Sequence, residues 1–298
     1  MSFSPQDRLL LVDAHAYAYR SYYAIRNLTG PDGAPTNAIF GFIKAMAVLR
    51  QRCAPTHVAV IWDGGLDEER VATHPGYKAE RDPMPDPMEV QLDGIVEWLA
   101  AAGLASHCQD GIEADDAIAT LACRAEAVGL PVVIASADKD FMQLVRPGIS
   151  LLNPNDKYTA FWGDEEVRAK CGVLPSQVVD WLSLVGDAVD GIPGVPGVGP
   201  KTATKLLASH GTLEAIYENL ATITPERLLE KLRASKADMA RNQDLIRLRD
   251  ALPLDLSLED LALGDEDYKA SHALFTRWGF RTFLRELETR HTIQGELL

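Results

Sequence analysis

Acidic residues recur in this chain at positions where their carboxylates are expected to come together. Asp13, Asp63 and Asp138 each stand at or just after the end of a short apolar run rich in Val, Leu or Ile. Continuous apolar runs of this kind are typical of strands that are covered on both faces of a parallel sheet. Ligands bind outside the carboxyl ends of such strands, so we expect the three carboxylates to form an acidic cluster there.

Further carboxylates occur in three short motifs. Glu113-Ala114-Asp115-Asp116 opens a helical pattern, Asp138-Lys139-Asp140 follows the third strand, and Gly186-Asp187-Ala188-Val189-Asp190 ends another helical pattern. Acids in a first turn complement the helix dipole, which by itself explains the first motif, but acids at a helix C-terminus oppose the dipole and suggest a bound cation. The predicted metal ligands are Asp13, Asp63, Glu113, Asp115, Asp116, Asp138, Asp140, Asp187 and Asp190.

The type of ligand indicates the type of chemistry. Clustered carboxylates repel one another, and some take up protons unless cations neutralise them. A set of oxygen ligands without Cys or His suits Mg²⁺ or Mn²⁺ and not zinc. Two such ions about 4 Å apart can activate a water molecule and stabilise the leaving oxygen when a phosphodiester is cleaved. The acidic set therefore predicts a two-metal centre for phosphodiester hydrolysis.

A second signal lies in the glycine-rich stretch from Gly194 to Ala203, which has the form of a helix–hairpin–helix turn. Glycines let the backbone approach a phosphate, and amides at the start of the following helix can hold it. An ordinary connection between two helices is the alternative. The predicted phosphate contacts are Gly194, Gly197, Gly199, Lys201 and Thr202.

A third segment joins Asp63 to the helical pattern at Leu92. It is polar, punctuated by prolines and long for a loop, which favours either a function or disorder. Its predicted DNA contacts are Arg70, Lys78 and Arg81, which can neutralise phosphates, and Tyr77, which can stack on a base. Composition alone favours a solvated loop.

The elements that must position these residues alternate between strand and helix. Helical patterns run from about residue 38 to 50 and from about 114 to 128, and a third pattern places Leu92, Ile95, Val96 and Leu99 on one face. This alternation predicts an α/β fold with a mostly parallel central sheet and helices on both faces. From Pro175 onward the chain is predicted to be mainly helical.

Composition sets limits on the function. The length of 298 residues suits two domains, and the formal net charge of −14 argues against a nucleic-acid partner unless the acids hold cations. The four cysteines form no C-x-x-C pair, so neither a zinc site nor a disulfide framework is expected. No apolar run approaches the roughly 20 residues that span a bilayer, and no secretory signal is evident, so a cytoplasmic protein without a membrane partner is predicted.

Taken together, the motifs resemble the 5′ nuclease domain of bacterial DNA polymerase I and the wider flap endonuclease family. The resemblance covers the chain from Leu10 to about Leu287 and includes the motifs in family order. These are Leu11-Val12-Asp13, Ala18-Tyr19-Arg20, Tyr77-Lys78-Ala79-x-Arg81, Glu113-Ala114-Asp115-Asp116, Ala137-Asp138-Lys139-Asp140 and Gly186-Asp187-x-x-Asp190.

The resemblance implies a PIN-like nuclease core over residues 1–174, with a helical arch at about 66–91. It further implies an all-helical helix–three-turn–helix DNA-binding domain over 175–298, with a helix–hairpin–helix motif at about 191–208. By the family pattern, one metal ion is served by Asp13, Asp63, Glu113 and Asp115. The other is served by Asp138, Asp140, Asp187 and Asp190, with Asp138 between the two ions and Asp116 as a supporting acid.

Other family positions concern the substrate. Arg20, Lys78 and Arg81 match positions near the scissile phosphate, Thr36 begins a segment near the duplex junction, and a K⁺ ion is implied at the hairpin. The implied activity is that of a monomeric 5′-3′ exonuclease and flap endonuclease on branched or nicked DNA, in replication and repair. One departure is Gly191, which stands where the family commonly has Asn and removes no carboxylate. Whether the chain is a stand-alone nuclease or part of a longer polymerase is left open.

Three other functions fit part of the pattern. A PIN-type single-strand ribonuclease would share the acids at the strand ends but would not need a helical half that grips duplex DNA. A catalytically idle module that binds branched DNA would not need the complete acidic set. A phosphohydrolase with an aspartyl nucleophile on its first strand would carry a second acid two residues after Asp13, where His15 stands instead.

Overall fold

The computed structural model describes residues 3–4, 6–156 and 160–296. Its centre is a five-stranded parallel sheet in the order β3-β2-β1-β4-β5. The strands are β1 (Leu9–Asp13), β2 (His57–Ile61), β3 (Ala105–His107), β4 (Val132–Ala135) and β5 (Ile149–Leu152). The prediction of a parallel α/β sheet is confirmed, and the three apolar runs that carry the acids form its three central strands.

The register of the strands brings their acids to one edge of the sheet. In the centre, Leu11 of β1 pairs with Ala59 of β2 and with Ile134 of β4. Asp13 is the last residue of β1 and is buried, whereas Asp63 and Asp138 follow shortly after the ends of β2 and β4. Because all three strands run in the same direction, their acids emerge together at the carboxyl edge, as predicted.

Helices cover both faces of the sheet. Leu10 and Val12 of β1 face the cluster formed by α1, α2 and α5, whereas Leu9 and Leu11 face α6 and part of the C-terminal half. The helices of the N-terminal half are α1 (Ala14–Ala24), α2 (Asn37–Cys53), α3 (Glu68–Thr73), α4 (Asp86–Glu89), α5 (Leu92–Ala101), α6 (Ala114–Ala127) and α7 (Asp164–Cys171). This alternation of buried faces is the reason that β1 has no exposed residue and carries a continuous apolar run.

One predicted helical face is wrong in part. The residues that α5 buries are Gly94, Ile95, Trp98, Leu99 and Ala101, while Val96 is 41% exposed. Trp98 lies one turn beyond Ile95 and fills the position on the buried face that the sequence pattern assigned to Val96.

The C-terminal half is mainly helical, with a short antiparallel ribbon of β6 (Gly186–Asp187) and β7 (Ile192–Pro193) and a largely irregular stretch over residues 247–267. Its helices are α8 (Val178–Val185), α9 (Pro200–His210), α10 (Leu213–Glu218), α11 (Glu226–Ile246), α12 (Tyr268–Trp278) and α13 (Arg281–Glu296). Short 3-10 turns lie at Asp140–Leu144, Pro154–Asp156, Pro175–Gln177, Leu220–Thr222 and Glu259–Leu261. The all-helical prediction therefore needs one correction, the ribbon, which forms because the chain reverses between Asp187 and Ile192.

The last two helices return to the N-terminal half. The ring of Phe40 on α2 lies 5.2 Å from that of Phe280 and 5.0 Å from that of Phe283. Phe275 and Trp278 of α12 belong to the same hydrophobic cluster as the residues of α2 and α5. The helices α12 and α13 thus pack against the layer that covers the sheet, and the division of the chain at residue 174 stays a prediction. Within the described ranges, no helix combines the length and apolar character needed to cross a membrane.

Candidate active site

The acids at the strand ends are connected by hydrogen bonds. Asp13 caps α1 by accepting the amide of Ala16 at 3.1 Å, and its second oxygen accepts the hydroxyl of Ser136 at 2.9 Å. The Ser136 hydroxyl in turn accepts the amide of Asp138 at 3.1 Å. Burial raises the pKa of Asp13 to about 6, despite these hydrogen bonds. Such a carboxyl is poorly solvated and is favoured as an ion only when a cation is near.

A second acidic group forms where the C-terminal half meets the sheet. One carboxylate oxygen from each of Asp140, Asp187 and Asp190 lies within 4.8 Å of the other two. Asp140 Oδ1 is buried and has no hydrogen-bond partner among the described residues. Burial raises the pKa of Asp140 well above its usual range, and the charges of Asp138 and Asp190 add to that effect. Three converging oxygen donors with an unsatisfied buried oxygen suit a hard divalent cation.

The ribbon of β6 and β7 orients two of these acids, Asp187 and Asp190. Asp187 Oδ1 accepts the amide of Val189 at 3.0 Å and so stabilises the turn between β6 and β7. Gly186 has a φ of +85°, and a Cβ at that position would collide with the backbone of Gly194. The sequence predicted both acids at the end of a helix, but they lie in the turn that follows α8, and only this reversal of the chain directs them towards Asp140.

Cations of the protein itself lie against several of the acids. Lys139 Nζ is 2.7 Å from Asp187 Oδ2, and Arg81 Nη2 is 2.6 Å from Asp190 Oδ1. Lys78 Nζ is 3.2 Å from a Glu113 oxygen. Although burial acts to lower it, the pKa of Lys78 is raised by the charges of nearby carboxylates, so the ammonium stays protonated. The protein thus carries internal counter-charges at its acidic edge.

Asp115 and Asp63 complete the acidic edge. Burial raises the pKa of Asp115 well above its usual range, with a further contribution from Asp138, and its carboxylate lies 3.7 Å from Lys78 Nζ. The backbone amide of Asp63 donates to His15 Nδ1 at 3.2 Å, and the Asp63 side chain accepts the amide of Gly65. The charges of Asp63 and Asp138 both act on Asp13, which places all of them in one electrostatic environment.

Two of the predicted metal ligands are held by an arginine. Arg70 donates to Glu113 at 2.6 Å and to both oxygens of Asp116 at 2.8 and 3.0 Å. Asp116 is 1% exposed and also accepts the amide of Arg249 at 2.8 Å, so both of its carboxylate oxygens accept hydrogen bonds from the protein, and its role as a ligand or a supporting acid stays a prediction. Residues 113 and 116 share the face at the start of α6 that Arg70 contacts, and residue 115 points elsewhere.

The arch, residues 66–91, folds onto the acidic edge with only short helices at its two ends, α3 and α4. Arg70 and Tyr77 are 4% and 3% exposed, and the Tyr77 hydroxyl donates to Glu113 at 3.0 Å. In this arrangement both side chains are covered, and their roles as a phosphate contact and a base-stacking residue stay predictions. The solvated-loop alternative does not describe this part of the segment, because ion pairs with α6 compensate for its polar composition.

The middle of the arch, at His74 and Lys78, contacts the turn that contains Asp187 and Asp190. The amide of Lys78 donates to the carbonyl of Asp190 at 3.0 Å, and His74 Nε2 lies 2.9 Å from the carbonyl of Gly191. Gly191 has a φ of +70°, and a Cβ there would collide with the carbonyl oxygen of Gly76. This close approach explains why glycine, and no larger residue, fits position 191 here.

Arg20 and Thr36 take different positions. Arg20 is exposed at the carboxyl edge, where it donates to Asn155 Oδ1 at 2.8 Å and to the carbonyl of Pro154 at 2.9 Å. Thr36 is 2% exposed at the start of α2, and its role as a DNA contact stays a prediction. It is covered because the loop before α2 folds back, with the Thr36 amide donating to the carbonyl of Leu28.

The predicted hairpin begins α9. Gly199 precedes the helix, Lys201 is exposed on its first turn, and Thr202 is half-buried. Gly197 has a φ of +77° and lies against Lys231 Nζ, which α11 brings to the same loop. A Cβ at Gly194 would collide with the backbone of Val185, and the phosphate contact of Gly194 stays a prediction.

Sequence reasoning did not single out four residues of this site, which are His15, His74, Ser136 and Lys139. His15 accepts the Asp63 amide, Ser136 joins Asp13 to Asp138, and Lys139 pairs with Asp187. The position of Lys139 between two predicted ligands was an available signal. The other contacts join residues far apart in the chain and leave no local pattern.

The fold and the acidic edge define a class of α/β proteins that bind cations at the carboxyl ends of parallel strands. The sequence matches the family model "5′-3′ exonuclease, N-terminal resolvase-like domain" over residues 8–172 and the model "5′-3′ exonuclease, C-terminal SAM fold" over residues 173–269. The chain therefore belongs to the 5′-3′ exonuclease family, a family of nucleases, and the resemblance drawn from the motifs is confirmed.

Two relatives illustrate the range of the family. The chain is 36% identical over 281 residues to the 5′-3′ exonuclease of Aquifex aeolicus, covering 94% of this chain and 95% of that protein. It is 38% identical over 286 residues to the thermostable DNA polymerase I of Thermus thermophilus, covering 96% of this chain and 33% of that protein. The chain thus spans about a third of the length of the DNA polymerase I relatives it matches.

Solved structures share the fold. T5 5′-exonuclease with bound divalent metal ions (zinc) matches with a TM-score of 0.68 at 18% identity, covering 95% of this chain and 98% of that chain. The catalytic core of Rad2 in complex with DNA substrate matches with a TM-score of 0.62 at 18% identity, covering 96% of this chain and 95% of that chain. These matches confirm the predicted architecture of a sheet domain followed by a helical half.

Proposed function

We propose that this chain is a Mg²⁺-dependent, structure-specific nuclease that hydrolyses DNA at 5′ ends and 5′ flaps of nicked or branched duplexes. The observation that carries the proposal is the convergence of Asp140, Asp187 and Asp190 within 4.8 Å, at the edge where Asp13 and Asp138 also lie. The metal ions bound to T5 5′-exonuclease and the DNA bound to Rad2 support it. Removal of RNA primers in replication, and DNA repair, are the proposed settings.

The carboxylates divide into two proposed ion sites. One consists of Asp140, Asp187 and Asp190, with Asp138 beside it, and all of its donors are hard oxygens, as Mg²⁺ or Mn²⁺ requires. The other is proposed to consist of Asp13, Asp63, Asp115 and Glu113. When bound, the two ions supply Lewis acidity and a water molecule of lowered pKa.

The residues of the chain orient the donors and neutralise the substrate. Ser136 holds Asp13 and Asp138 in fixed positions through its hydroxyl, so little reorganisation is needed around the reacting phosphate. Lys78 and Arg81 of the arch are proposed to neutralise the scissile phosphate, which requires Arg81 to leave Asp190. Arg20, exposed on the same edge, is proposed to contact the phosphate beside it.

The duplex is proposed to bind at the hairpin. The amides around Gly197 and Gly199 and the side chains of Lys201 and Thr202 can hold backbone phosphates, with a K⁺ ion between the loop and the phosphate. The net charge of −14 then becomes compatible with DNA binding, because cations bound at the proposed ion sites reverse the local charge where the phosphate is held. The protein is proposed to act as a monomer in the cytoplasm.

The test uses labelled 5′-flap, nicked duplex and single-stranded DNA, together with an RNA hairpin. Each is incubated with the full chain in Mg²⁺, in Mn²⁺ and in excess chelator. We expect cleavage of the flap and nicked substrates with either ion and none in chelator. Preferential cleavage of the RNA hairpin would instead identify a PIN-type ribonuclease, and flap binding without cleavage in Mg²⁺ would identify an idle branch-binding module. Undiminished cleavage in chelator would refute the two-metal mechanism.

A further inference from the structure

Two of the three converging acids are already paired with cations of the protein. Lys139 Nζ lies 2.7 Å from Asp187 Oδ2, and Arg81 Nη2 lies 2.6 Å from Asp190 Oδ1. The third acid, Asp140, has a buried oxygen without a hydrogen-bond partner in the described part of the chain. The site therefore holds two neutralised carboxylates and one that is unsatisfied.

Lys139 is built into the site more firmly than Arg81. It stands between Asp138 and Asp140 in the chain and directly before the 3-10 turn that begins at Asp140, so its backbone is fixed by that turn. Its side chain is 35% exposed, whereas that of Asp187 is 7% exposed. Although burial acts to lower it, the hydrogen bond to Asp187 raises the pKa of Lys139, so the ammonium stays charged.

A divalent ion bound at Asp187 Oδ2 would lie within a few ångströms of the Lys139 ammonium, which is 2.7 Å from that oxygen. The two are like charges, and their repulsion at a separation of a few ångströms is substantial near a protein surface. The other oxygen, Asp187 Oδ1, accepts the amide of Val189 at 3.0 Å and keeps the carboxylate in place when Oδ2 is released. Exchange of one cation for another then needs only a movement of the flexible lysine side chain towards solvent.

We propose that Lys139 is the resident counter-cation of this site, which neutralises Asp187 in the ion-free protein and is displaced when a divalent ion binds. The displaced ammonium lies at the rim of the acidic edge, where it can contact a phosphate of the substrate. This inference rests on the divalent-ion site proposed above. It assigns Lys139 two partners in succession, a carboxylate and then a phosphate.

Two consequences separate this role from simple structural support. Without Lys139 the divalent ion no longer has to break an ion pair, so it binds more tightly, by roughly fivefold, which is the fold-change for the about 1 kcal/mol of a partly exposed pair. The ion-free protein loses an ion pair and becomes less stable, whereas the ion-loaded protein does not. A residue with only a structural role would weaken ion binding and destabilise both forms.

The experiment measures Mg²⁺ binding to the full chain by calorimetry, without DNA, and the Tm in chelator and in saturating Mg²⁺. Lys139→Met is expected to bind Mg²⁺ roughly fivefold more tightly, with a lowered Tm in chelator alone. Lys139→Arg, which keeps the charge, is expected to resemble the unmodified chain. Lys269→Met is the matched control, because Lys269 is exposed on α12, which packs on α5 and α13. Unchanged or weaker binding by Lys139→Met, or an equal loss of Tm in both conditions, would overturn the proposal.

A measurement on the unmodified chain tests the displacement of Lys139 even if a variant fails to fold. The side-chain ammonium signal of Lys139 in a nitrogen-15 NMR spectrum, assigned with Lys139→Gln, is expected to shift and exchange faster with water when Mg²⁺ is added. An unperturbed signal would refute the displacement. If the unmodified chain binds no divalent ion at all, the proposed function fails, whereas ion binding with an undisplaced lysine refutes only this inference.

Discussion

The guanidinium of Arg70 spans both carboxylate oxygens of Asp116, at 2.8 and 3.0 Å. The same group donates to Glu113 at 2.6 Å and to the carbonyl of Arg247 at 3.0 Å. Arg70 belongs to the arch, Glu113 and Asp116 to the start of α6, and Arg247 to the segment that follows α11. One buried cation therefore joins three parts of the chain that surround the acidic edge.

Removing this cation should destabilise the protein strongly. Arg70→Ala leaves two buried carboxylates without their partner, and breaking a buried pair in this way costs about 3–5 kcal/mol. Arg70→Lys should recover only part of the loss, because an ammonium cannot span two oxygens in a planar fork. The measurement is the free energy of unfolding in urea. Arg277→Ala is the control, because its pair with Glu97 is exposed and should contribute about 1 kcal/mol or less. Similar losses at both positions would contradict the account.

The raised pKa of Asp13 predicts how stability depends on pH. The carboxyl titrates near pH 6 in the folded chain but near 3.8 when unfolded, so the folded state binds more protons between these values. The free energy of unfolding of the ion-free protein should therefore fall as pH rises from about 4 to 6, because the folded state must then bury a charge. The comparison is between the unmodified chain and Asp13→Asn in chelator. Their difference should grow in favour of the variant as pH rises, and a constant difference would contradict the prediction.

The sequence was sufficient to predict the centre of the fold. Asp13 and Asp138 mark the ends of strands that are buried on both faces, and a continuous apolar run is a signal that local sequence preserves. The short strand β3 (Ala105–His107) was not predicted, because it has three residues and none is buried. Strands at the edge of a sheet have a weaker hydrophobic pattern in their sequence. The formation of β3 therefore depends on its pairing with β2.

The site was predicted less completely than the fold. The carboxylates were found because each follows an element that local sequence reveals. The carboxylate that pairs with each cation was not predicted, because the partners are far apart in the chain. Arg70 and Asp116 are separated by 46 residues, and Arg81 and Asp190 by 109. Tyr77 was assigned to DNA because its neighbours in sequence are polar, whereas its neighbours in space are Glu113 and the core. Such contacts depend on how the arch folds, which short patterns do not encode.

Substitution of Gly191 should move the arch. A Cβ at this position collides with the carbonyl oxygen of Gly76, and the backbone at φ +70° is strained for most other residues. Gly191→Ala should therefore weaken the contacts of His74 and Lys78 with the turn and expose the arch to protease, while the metal ligands remain. The readout is the rate of limited proteolysis within residues 74–81. Gly211→Ala is the control, because it has a similar φ but open space around it. Equal protection of the arch in both variants would show that the contact at Gly191 does not hold it.

Lys201 should contribute to duplex binding without regard to sequence. It is exposed on the first turn of α9, beside the loop that Lys231 also reaches. Lys201→Ala should weaken binding to duplexes of different sequence alike, because a phosphate contact carries no base identity. It should also reduce the slope of log K against log salt by about one. Lys269→Ala serves as the control. An effect that changes with duplex sequence, or binding that ignores salt, would contradict the assignment of the hairpin.

Lys78 should affect cleavage more than it affects binding. Its ammonium is buried and lies 3.2 Å from Glu113 and 3.7 Å from Asp115, two residues of the proposed ion sites. A cation at this point can stabilise the charge that develops on the phosphate, and removal of one such donor typically costs about 10²–10³ in turnover. In saturating Mg²⁺, Lys78→Ala should therefore reduce the single-turnover rate on a flap substrate far more than the flap affinity. Lys78→Arg should restore only part of the rate, because a planar guanidinium does not replace a compact ammonium. Both quantities are measured on one substrate, with Lys269→Ala as the control. Equal losses of rate and affinity would make Lys78 a binding residue, and unchanged kinetics would leave it with only its ion pairs to α6.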